Sequence, residues 1–272
     1  MRIGQALDQG IRAGVGRLDA QRLLLVALRR APEDRAWLLA HDTDALPSDA
    51  AARYDAFCRR IRSGEPLAYL LGRLTFYGID LEVDARVLVP RPDTETLVTW
   101  ALEKLPPGAS VLDLGTGSGA IALAVKQARP DVTVEAVDAS DAALAVARAN
   151  AARLGLHVGF RIASWFEGAA RYALVVSNPP YIAEGDPHLP DLGHEPASAL
   201  VAGPDGLADL RHIVGHAPAH LEPGGWLLLE HGWDQAAAVR TLLADAGFTQ
   251  VASRCDLSGI ERCSGGQWLE LG

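Results

Sequence analysis

From Ser110 onward the sequence keeps one rhythm: an apolar run, a turn, then an amphipathic stretch. "SVLDLG" leads into a helix expected to run through Ala128, "VTVEAVD" into one through Leu154, and "VGFRIAS" into a short connection. "YALVVS", "GWLLLEHG", "TQVASRC" and "QWLELG" complete seven strand candidates, with the helix "DQAAAVRTLLADAG" among them. Continuous apolar runs mark strands covered on both faces, and helices alternating with them imply a parallel sheet. The expected class is therefore α/β, a doubly wound, mostly parallel seven-stranded sheet.

Ahead of this rhythm, residues up to Gly72 carry helical periodicity only. "LDAQRLLLVALRR" has Asp19 placed to cap a helix. "APEDRAWLLAH" has Pro32 at a favourable first-turn position, and "PSDAAARYDAFCRRIRSG" stops on Gly64. "RLTFYGIDLEVDARVLV" alternates around Gly78 as a short hairpin, and "PRPDTETLVTWALEKL" reads as a proline turn and a helix. The expected organisation is an all-helical domain over 1–72, a β-hairpin linker over 73–90 and a larger α/β domain over 91–272.

Composition narrows the function. No apolar stretch approaches the roughly 18–20 residues of a membrane span, and "MRIGQALDQGIRAG" does not read as a secretory signal. Cys58, Cys255 and Cys263 are odd in number, widely spaced and without a CxxC pair, which suits a reducing cytoplasm better than a disulfide scaffold or a zinc ribbon. A formal charge of −9 disfavours extended nucleic acid as the main substrate.

"VLDLGTGSGAIALA" places Gly115, Gly117 and Gly119 between a strand and a helix, with Thr116 and Ser118 between them. Such glycines let a ligand approach the backbone, and the helix N-terminus favours a negative group. Asp138 ends the next strand, where a carboxylate can accept from both ribose hydroxyls. With Ala120 in the last slot the run also fits a dinucleotide fingerprint, so a nicotinamide or flavin, or a turn without a ligand, stays open here. The strict glycine alternation, Asp113 as partner for an ammonium group, and the loop that follows "YALVVS" lean toward S-adenosylmethionine.

That loop is "SNPPYIAE". Its prolines lack N–H groups and have fixed φ, so they end the strand and hold the chain open. Asn178 then emerges at the C-terminal edge of the sheet, beside the glycine turn if "YALVVS" is the fourth strand. A conjugated –NH2 is a poor nucleophile because its lone pair is delocalised. The Asn178 side-chain oxygen and the Pro179 carbonyl can hold its two hydrogens, and Tyr181 can lie flat on the amide plane. That is positioning plus stabilisation of the charge that develops on nitrogen.

Taken together and in order, "GEPLAYLLGRLTFYG", "VLVPRPDTETLV", "VLDLGTGSGAIALA", "SNPPYI", "HEPASALVAGPDGLADLRHIV" and "LLLEHGWDQ" resemble the release factor glutamine methyltransferase family, known as PrmC or HemK. The resemblance implies a class I S-adenosylmethionine-dependent methyltransferase fold. It also implies N5-methylation of the glutamine in the Gly-Gly-Gln loop of class 1 peptide chain release factors, by a monomer without nucleic acid or membrane. By resemblance, Gly115, Thr116, Gly117, Ser118, Gly119, Asp138 and Trp165 contact the cofactor together with Asn178. Asn178, Pro179, Pro180 and Tyr181 receive the glutamine, and the helical domain contacts the release factor. Relatives often carry an acid where this chain has Ser164, which weakens the adenine contact.

Alternatives in the same chemistry are the ribosomal protein L3 glutamine methyltransferases, from which "PRPDTE" separates this chain, and DNA adenine-N6 methyltransferases, which need a base-flipping surface. A domain that binds cofactor or partner without turnover is the remaining class, and the intact Asn178 and Tyr181 speak against it. His212, His216 and His220 fall at i, i+4 and i+8 of an expected helix, without partners that would complete a metal set. Gly265-Gly266-Gln267 repeats the substrate tripeptide and reads as a turn entering the last strand. Glu195 either shapes the glutamine pocket or fixes its loop through a salt bridge. Trp37, Trp100 and Trp226 read as core.

Overall fold

The computed structural model describes residues 1–269. The chain divides into two compact units, Met1–Leu74 with Asp191–His194, and Thr75–Pro190 with the described residues from Glu195 onward.

Five helices build the first unit: α1 (Ile3–Arg12), α2 (Arg17–Ala27), α3 (Arg35–Ala40), α4 (Ser48–Arg62) and α5 (Leu67–Leu71). Leu23, Leu24 and Leu25 of α2 are all fully buried. Three successive buried leucines cover more of the circumference than one amphipathic stripe, so α2 is the central helix, packed by the other four. Gly10 of α1 admits the Tyr54 ring of α4; a Cβ there would lie 2.9 Å from Tyr54 Cζ. Two expected helix starts move. The chain enters α2 directly behind Gly16, so Asp19 faces the positive helix end from inside the first turn and does not cap it. Pro32 sits in a turn ahead of α3, which starts at Arg35.

Strands β1 (Arg73–Phe76) and β2 (Ile79–Glu82) form the hairpin. Tyr77 and Gly78 both have positive φ, 46° and 77°, as a two-residue turn matched to strand twist requires. Helix α6 (Thr94–Lys104) follows.

The large sheet comprises β3 (Ser110–Leu114), β4 (Thr133–Asp138), β5 (Gly159–Ile162), β6 (Tyr172–Ser177), β7 (Leu221–Glu230), β8 (Thr249–Cys255) and β9 (Glu261–Gln267). Its order is β5-β4-β3-β6-β7-β9-β8, parallel except where β9 runs against β7 and β8. Helices α7 (Ala120–Ala128) and α8 (Asp141–Leu154) join α6 on one face, and α9 (Ala208–His216) and α10 (Ala236–Asp245) cover the other. Leu112, Leu114, Val175, Leu227 and Leu229 point toward α9 and α10, where they meet Leu210, Ile213, Val239 and Leu243. This is the expected doubly wound, seven-stranded fold.

Three local expectations fail. The last strand is β9, not "QWLELG", whose final three residues lie outside the described chain. Gly265 and Gly266 stand inside it opposite Leu228 and Leu227, so they form no turn. A Cβ on Gly265 would come 2.6 Å from the Leu227 carbonyl, and the strand seats there only with a bare backbone. Helix α9 ends at His216, because Pro218 cannot donate the next helical hydrogen bond and the chain tightens to a 3-10 turn.

Candidate active site

Strand order reverses at β3, with β4 and β5 to one side and β6 to the other. Leu114 lies opposite Ser177, and Ser177 Oγ donates to the Leu114 carbonyl at 2.7 Å. Gly115 and Asn178 therefore leave neighbouring strands side by side, about one strand spacing of 5 Å apart. Open α/β sheets bind their ligands at this crevice. A cleft of about 420 Å³ opens there, lined by Gly115, Gly117, Asp138, Ser164, Trp165, Asn178 and Pro180, with Arg86, Val87, Leu88 and Pro196 among its other walls.

The glycine turn needs its glycines. Gly115, Gly117 and Gly119 have φ of 69°, 56° and 85°, a region costly for side-chain-bearing residues. The N–H groups of Gly115 and Thr116 donate to the Val137 carbonyl, and Gly117 N–H donates to Asp138 Oδ2 at 2.9 Å. Asp138 Oδ1 accepts from Ser140 N–H at 2.9 Å. Each carboxylate oxygen thus spends one lone pair on the backbone, which fixes its aim and leaves acceptor capacity toward the cleft. Trp165, at φ 48°, is itself in left-handed backbone. Its ring lies 3.6 Å from where a Gly115 Cβ would be. A bulky residue held in that conformation beside a cleft is stored strain of the kind found at binding sites.

Thr116, Ser118 and Gly119 shape the turn and do not line the cleft. Thr116 Oγ1 donates to Asp113 Oδ2 at 2.6 Å, and Ala122 N–H donates to the same oxygen at 3.2 Å. Asp113 is completely buried; its Oδ2 braces the turn from behind, and its Oδ1 has no hydrogen-bond partner. Desolvation raises its pKa to about 7.

Asn178 is the most informative residue. Its Nδ2 donates to Thr94 Oγ1 at 3.3 Å, while its Oδ1 is buried without a hydrogen-bond partner. An orphaned buried acceptor is costly, and here it stands where a donor group would enter. Pro179 is buried and Pro180 lines the cleft. Tyr181 packs on the core beneath α9 and α10, its hydroxyl donating to Glu230 Oε1 at 3.4 Å and its carbonyl accepting from Gln235 Nε2 at 3.0 Å. Burial raises the Tyr181 pKa well above its usual value.

Residues outside the expected site hold this loop. Gly206, at φ 71°, packs against the Tyr181 carbonyl with no room for a Cβ. Glu195 Oε2 accepts from Val89 N–H at 3.0 Å, and Oε1 pairs with Arg91. Of the two readings of Glu195, the salt bridge is the one present, and it fixes the segment whose next residue, Pro196, lines the cleft. Glu230 ends β7 almost wholly buried. Desolvation raises its pKa to about 7. Its sequence signal was an acid closing the apolar run "WLLLE".

The remaining motifs fall elsewhere. His212 and His216 stack at 4.2 Å, whereas His220 stacks on Phe166 at 4.7 Å, so the three do not converge. Gln267 pairs with Trp226 in the sheet, and its amide donates to the Gly224 carbonyl. That is the opposite end of the strands from Asn178, which rules out methylation within one chain. Trp100 and Trp226 are core, while Trp37 is half-buried, stacked on His41 beneath the Arg30 guanidinium.

With the geometry established, comparison with known proteins identifies the family. Residues 93–195 match the Methyltransferase small domain model, and 11–72 match the PrmC N-terminal domain model. A release factor glutamine methyltransferase of Xylella fastidiosa is 50% identical over 93% of this chain and 94% of its own length. That of Bordetella pertussis is 52% identical over 93% and 95%. Among solved structures, a methyltransferase from Pyrococcus furiosus superposes with a TM-score of 0.57 at 18% identity, covering 78% of this chain and 98% of that one; it supports the fold alone. At half-identity along almost the full length of both chains, the protein belongs to the release factor glutamine methyltransferase family.

Proposed function

We propose that this chain methylates the side-chain nitrogen of the glutamine in the Gly-Gly-Gln loop of class 1 peptide chain release factors, with S-adenosylmethionine as donor. The observation that carries this reading is the buried, unpartnered Asn178 Oδ1 beside the glycine turn. The cleft residues fit the cofactor. Asp138 has spare acceptor capacity for ribose hydroxyls, bare Gly115 and Gly117 permit close approach, and Trp165 and Ser164 supply the remaining wall. S-adenosylmethionine supplies an electrophilic methyl group on a sulfonium sulfur, which departs as a neutral thioether.

The protein does the rest by positioning. Asn178 Oδ1 and the Pro179 carbonyl accept the two carboxamide hydrogens and draw the nitrogen toward a pyramidal geometry with its lone pair aimed. Pro180 keeps the loop open, and Tyr181 flanks the amide. The same oxygens stabilise positive charge on nitrogen as the N–C bond forms, and the methylated nitrogen then releases a proton. Residues 1–72 contact the release factor, 73–90 connect, and 91–272 catalyse. The enzyme works in the cytoplasm as a monomer. Its charge of −9 disfavours nucleic acid, and no described helix is long and apolar enough to cross a membrane.

Radiolabelled methyl transfer to a purified release factor, with ribosomal protein L3 and DNA as controls, tests the substrate. Label confined to the Gly-Gly-Gln peptide is expected, and label only on L3 or DNA overturns it. Asn178→Ala removes one acceptor and lowers kcat by about 10²–10³, or ~2–4 kcal/mol. Near-normal turnover by that variant removes Asn178 from the chemistry.

A further inference from the structure

We propose that Trp233, Leu257 and Ile260 form an apolar docking surface beside the crevice, for the body of the release factor whose Gly-Gly-Gln loop enters it. The inference rests on the reading of the Asn-Pro-Pro-Tyr loop as receiver of the glutamine and adds what holds the protein around that glutamine.

The sheet brings these residues to the same edge as Asn178. Strand β7 runs parallel to β6, and β9 returns antiparallel between β7 and β8, so β6, β7 and β8 all end at the crevice edge. The Asn-Pro-Pro-Tyr loop, the 231–235 turn and the 256–260 turn emerge there in a row. Glu230 pairs with Cys263, and His231 N–H donates to the Arg262 carbonyl at 2.9 Å. Trp233 and Ile260 each stand two residues further along. Hydrogen bonds hold both turns. Gln235 N–H donates to the Gly232 carbonyl, and its side chain accepts from Gly232 N–H while donating to the Tyr181 carbonyl at 3.0 Å. Trp233 is thus carried by a turn tied directly to the substrate loop. In the second turn Asp256 Oδ1 accepts from the N–H groups of Ser258 and Ile260. On these fixed backbones the side chains face solvent: Trp233 is 69% exposed, Leu257 wholly so and Ile260 38%.

Apolar residues exposed singly are ordinary, but a group of them beside a binding crevice marks a protein contact, and tryptophan is a preferred anchor of such contacts. The occupant follows from position. The cofactor cleft lies on the β3 and β4 side of Asn178, at Gly115, Gly117 and Asp138. The apolar turns lie on the other side, at the ends of β7, β9 and β8, about one to three strand spacings or 5–15 Å away. A stable protein contact buries about 800 Å² on each partner, a patch about 16 Å in radius. A folded protein whose glutamine reaches Asn178 therefore covers these turns, whereas a free carboxamide or a tripeptide leaves them in water. The Arg262 guanidinium, paired with Asp93 and with Asp256 of the second turn, gives the patch the polar border usual in protein interfaces.

The test compares wild type, Trp233→Ala, Leu257→Ser and Asn178→Ala in release-factor affinity and cofactor affinity by calorimetry and in single-turnover methylation at saturating release factor, with thermal unfolding as the folding control. Trp233→Ala is expected to weaken release-factor binding by about 10–100-fold and Leu257→Ser by about 3–10-fold, with the saturated rate and cofactor affinity unchanged. Wild-type affinity in Trp233→Ala, or a loss confined to the saturated rate, overturns the proposal. So does a wild-type chain that sediments as a dimer and becomes monomeric in Trp233→Ala, because the surface then belongs to a second copy. If the variants fail to fold, hydroxyl-radical footprinting of the wild-type protein decides: Trp233 and Leu257 become protected when release factor binds, and unchanged oxidation overturns the proposal. An active Asn178→Ala defeats the glutamine reading itself, whereas an inactive Asn178→Ala beside a Trp233→Ala of full affinity defeats only the docking surface.

Discussion

Glu230→Gln should remove a measurable part of the protein's pH-dependent stability, independently of any substrate. The carboxyl is fully enclosed, and burial raises its pKa from 4.5 to about 7. In the folded chain it therefore holds its proton across an interval in which the unfolded chain has lost it. The sign follows from linkage: the native state binds more protons between those two values, so stability falls as pH rises through that window. The stabilisation is fully present below about pH 4.5 and is lost by about pH 7. Between pH 5 and pH 8 this one group lowers unfolding free energy by about 2–3 kcal/mol, at 1.36 kcal/mol per pKa unit. Glutamine can still accept from Tyr181 through its oxygen. Its –NH2 replaces the partnerless Oε2 and costs a pH-independent amount of about 1–3 kcal/mol. Urea unfolding of both proteins at pH 5, 6, 7 and 8 separates the two effects, since the offset shifts every point and only the slope reports ionisation. The difference between wild type and variant should shrink by about 2–3 kcal/mol from pH 5 to pH 8. Parallel stability curves would show that Glu230 does not change its protonation in the folded chain over this range.

Asp138→Ala strips the acceptor that holds Gly117 and Ser140 N–H and is expected to weaken S-adenosylmethionine binding by about 10–100-fold, the equivalent of one or two charge-assisted hydrogen bonds; calorimetric titration showing unchanged affinity would contradict its ribose role. Gly206→Ala places a Cβ against the Tyr181 carbonyl, with Gln235 Nε2 at 2.9 Å and Ala183 N at 3.1 Å also in the way. The shifted Asn-Pro-Pro-Tyr loop should reduce kcat by at least about tenfold while cofactor affinity holds, and an equal loss in both would mean the damage is not local.

The sheet and its crevice were legible because local chemistry dictates them. Apolar runs broken by glycine turns permit few packings, and the prolines after Asn178 end β6 wherever it lies. Asp138 was readable from its place at a strand end. Thr94 was not, since its bond to Asn178 joins positions 84 apart in sequence and exists only once α6 packs beside β6 and β7. The bracing role of Asp113 was hidden for a related reason: inside a strand its side chain points at a sheet face, where Thr116 of the glycine turn and Ala122 of α7 both donate to Oδ2. Gly265 and Gly266 looked like a turn because a glycine pair usually marks one. Here the close approach of Leu227 and Leu228 requires them in mid-strand.

Asp113 and Glu230 show how this edge of the sheet is made rigid. Both are buried acids near the C-terminal ends of strands, both are pushed toward pH 7 by desolvation, and each retains one oxygen without a partner. Each also takes a hydroxyl hydrogen from a loop residue: Asp113 from Thr116 of the glycine turn, Glu230 from Tyr181 of the Asn-Pro-Pro-Tyr loop. Apolar residues of similar size would avoid the desolvation cost, and such exchanges are often neutral or stabilising. They would also leave those hydroxyls free to rotate. A loop that must hold a weak nucleophile against an electrophile loses rate with small misplacements. The stability given up at two buried carboxyls is therefore exchanged for fixed hydrogen-bond polarity at the two loops that meet at the crevice.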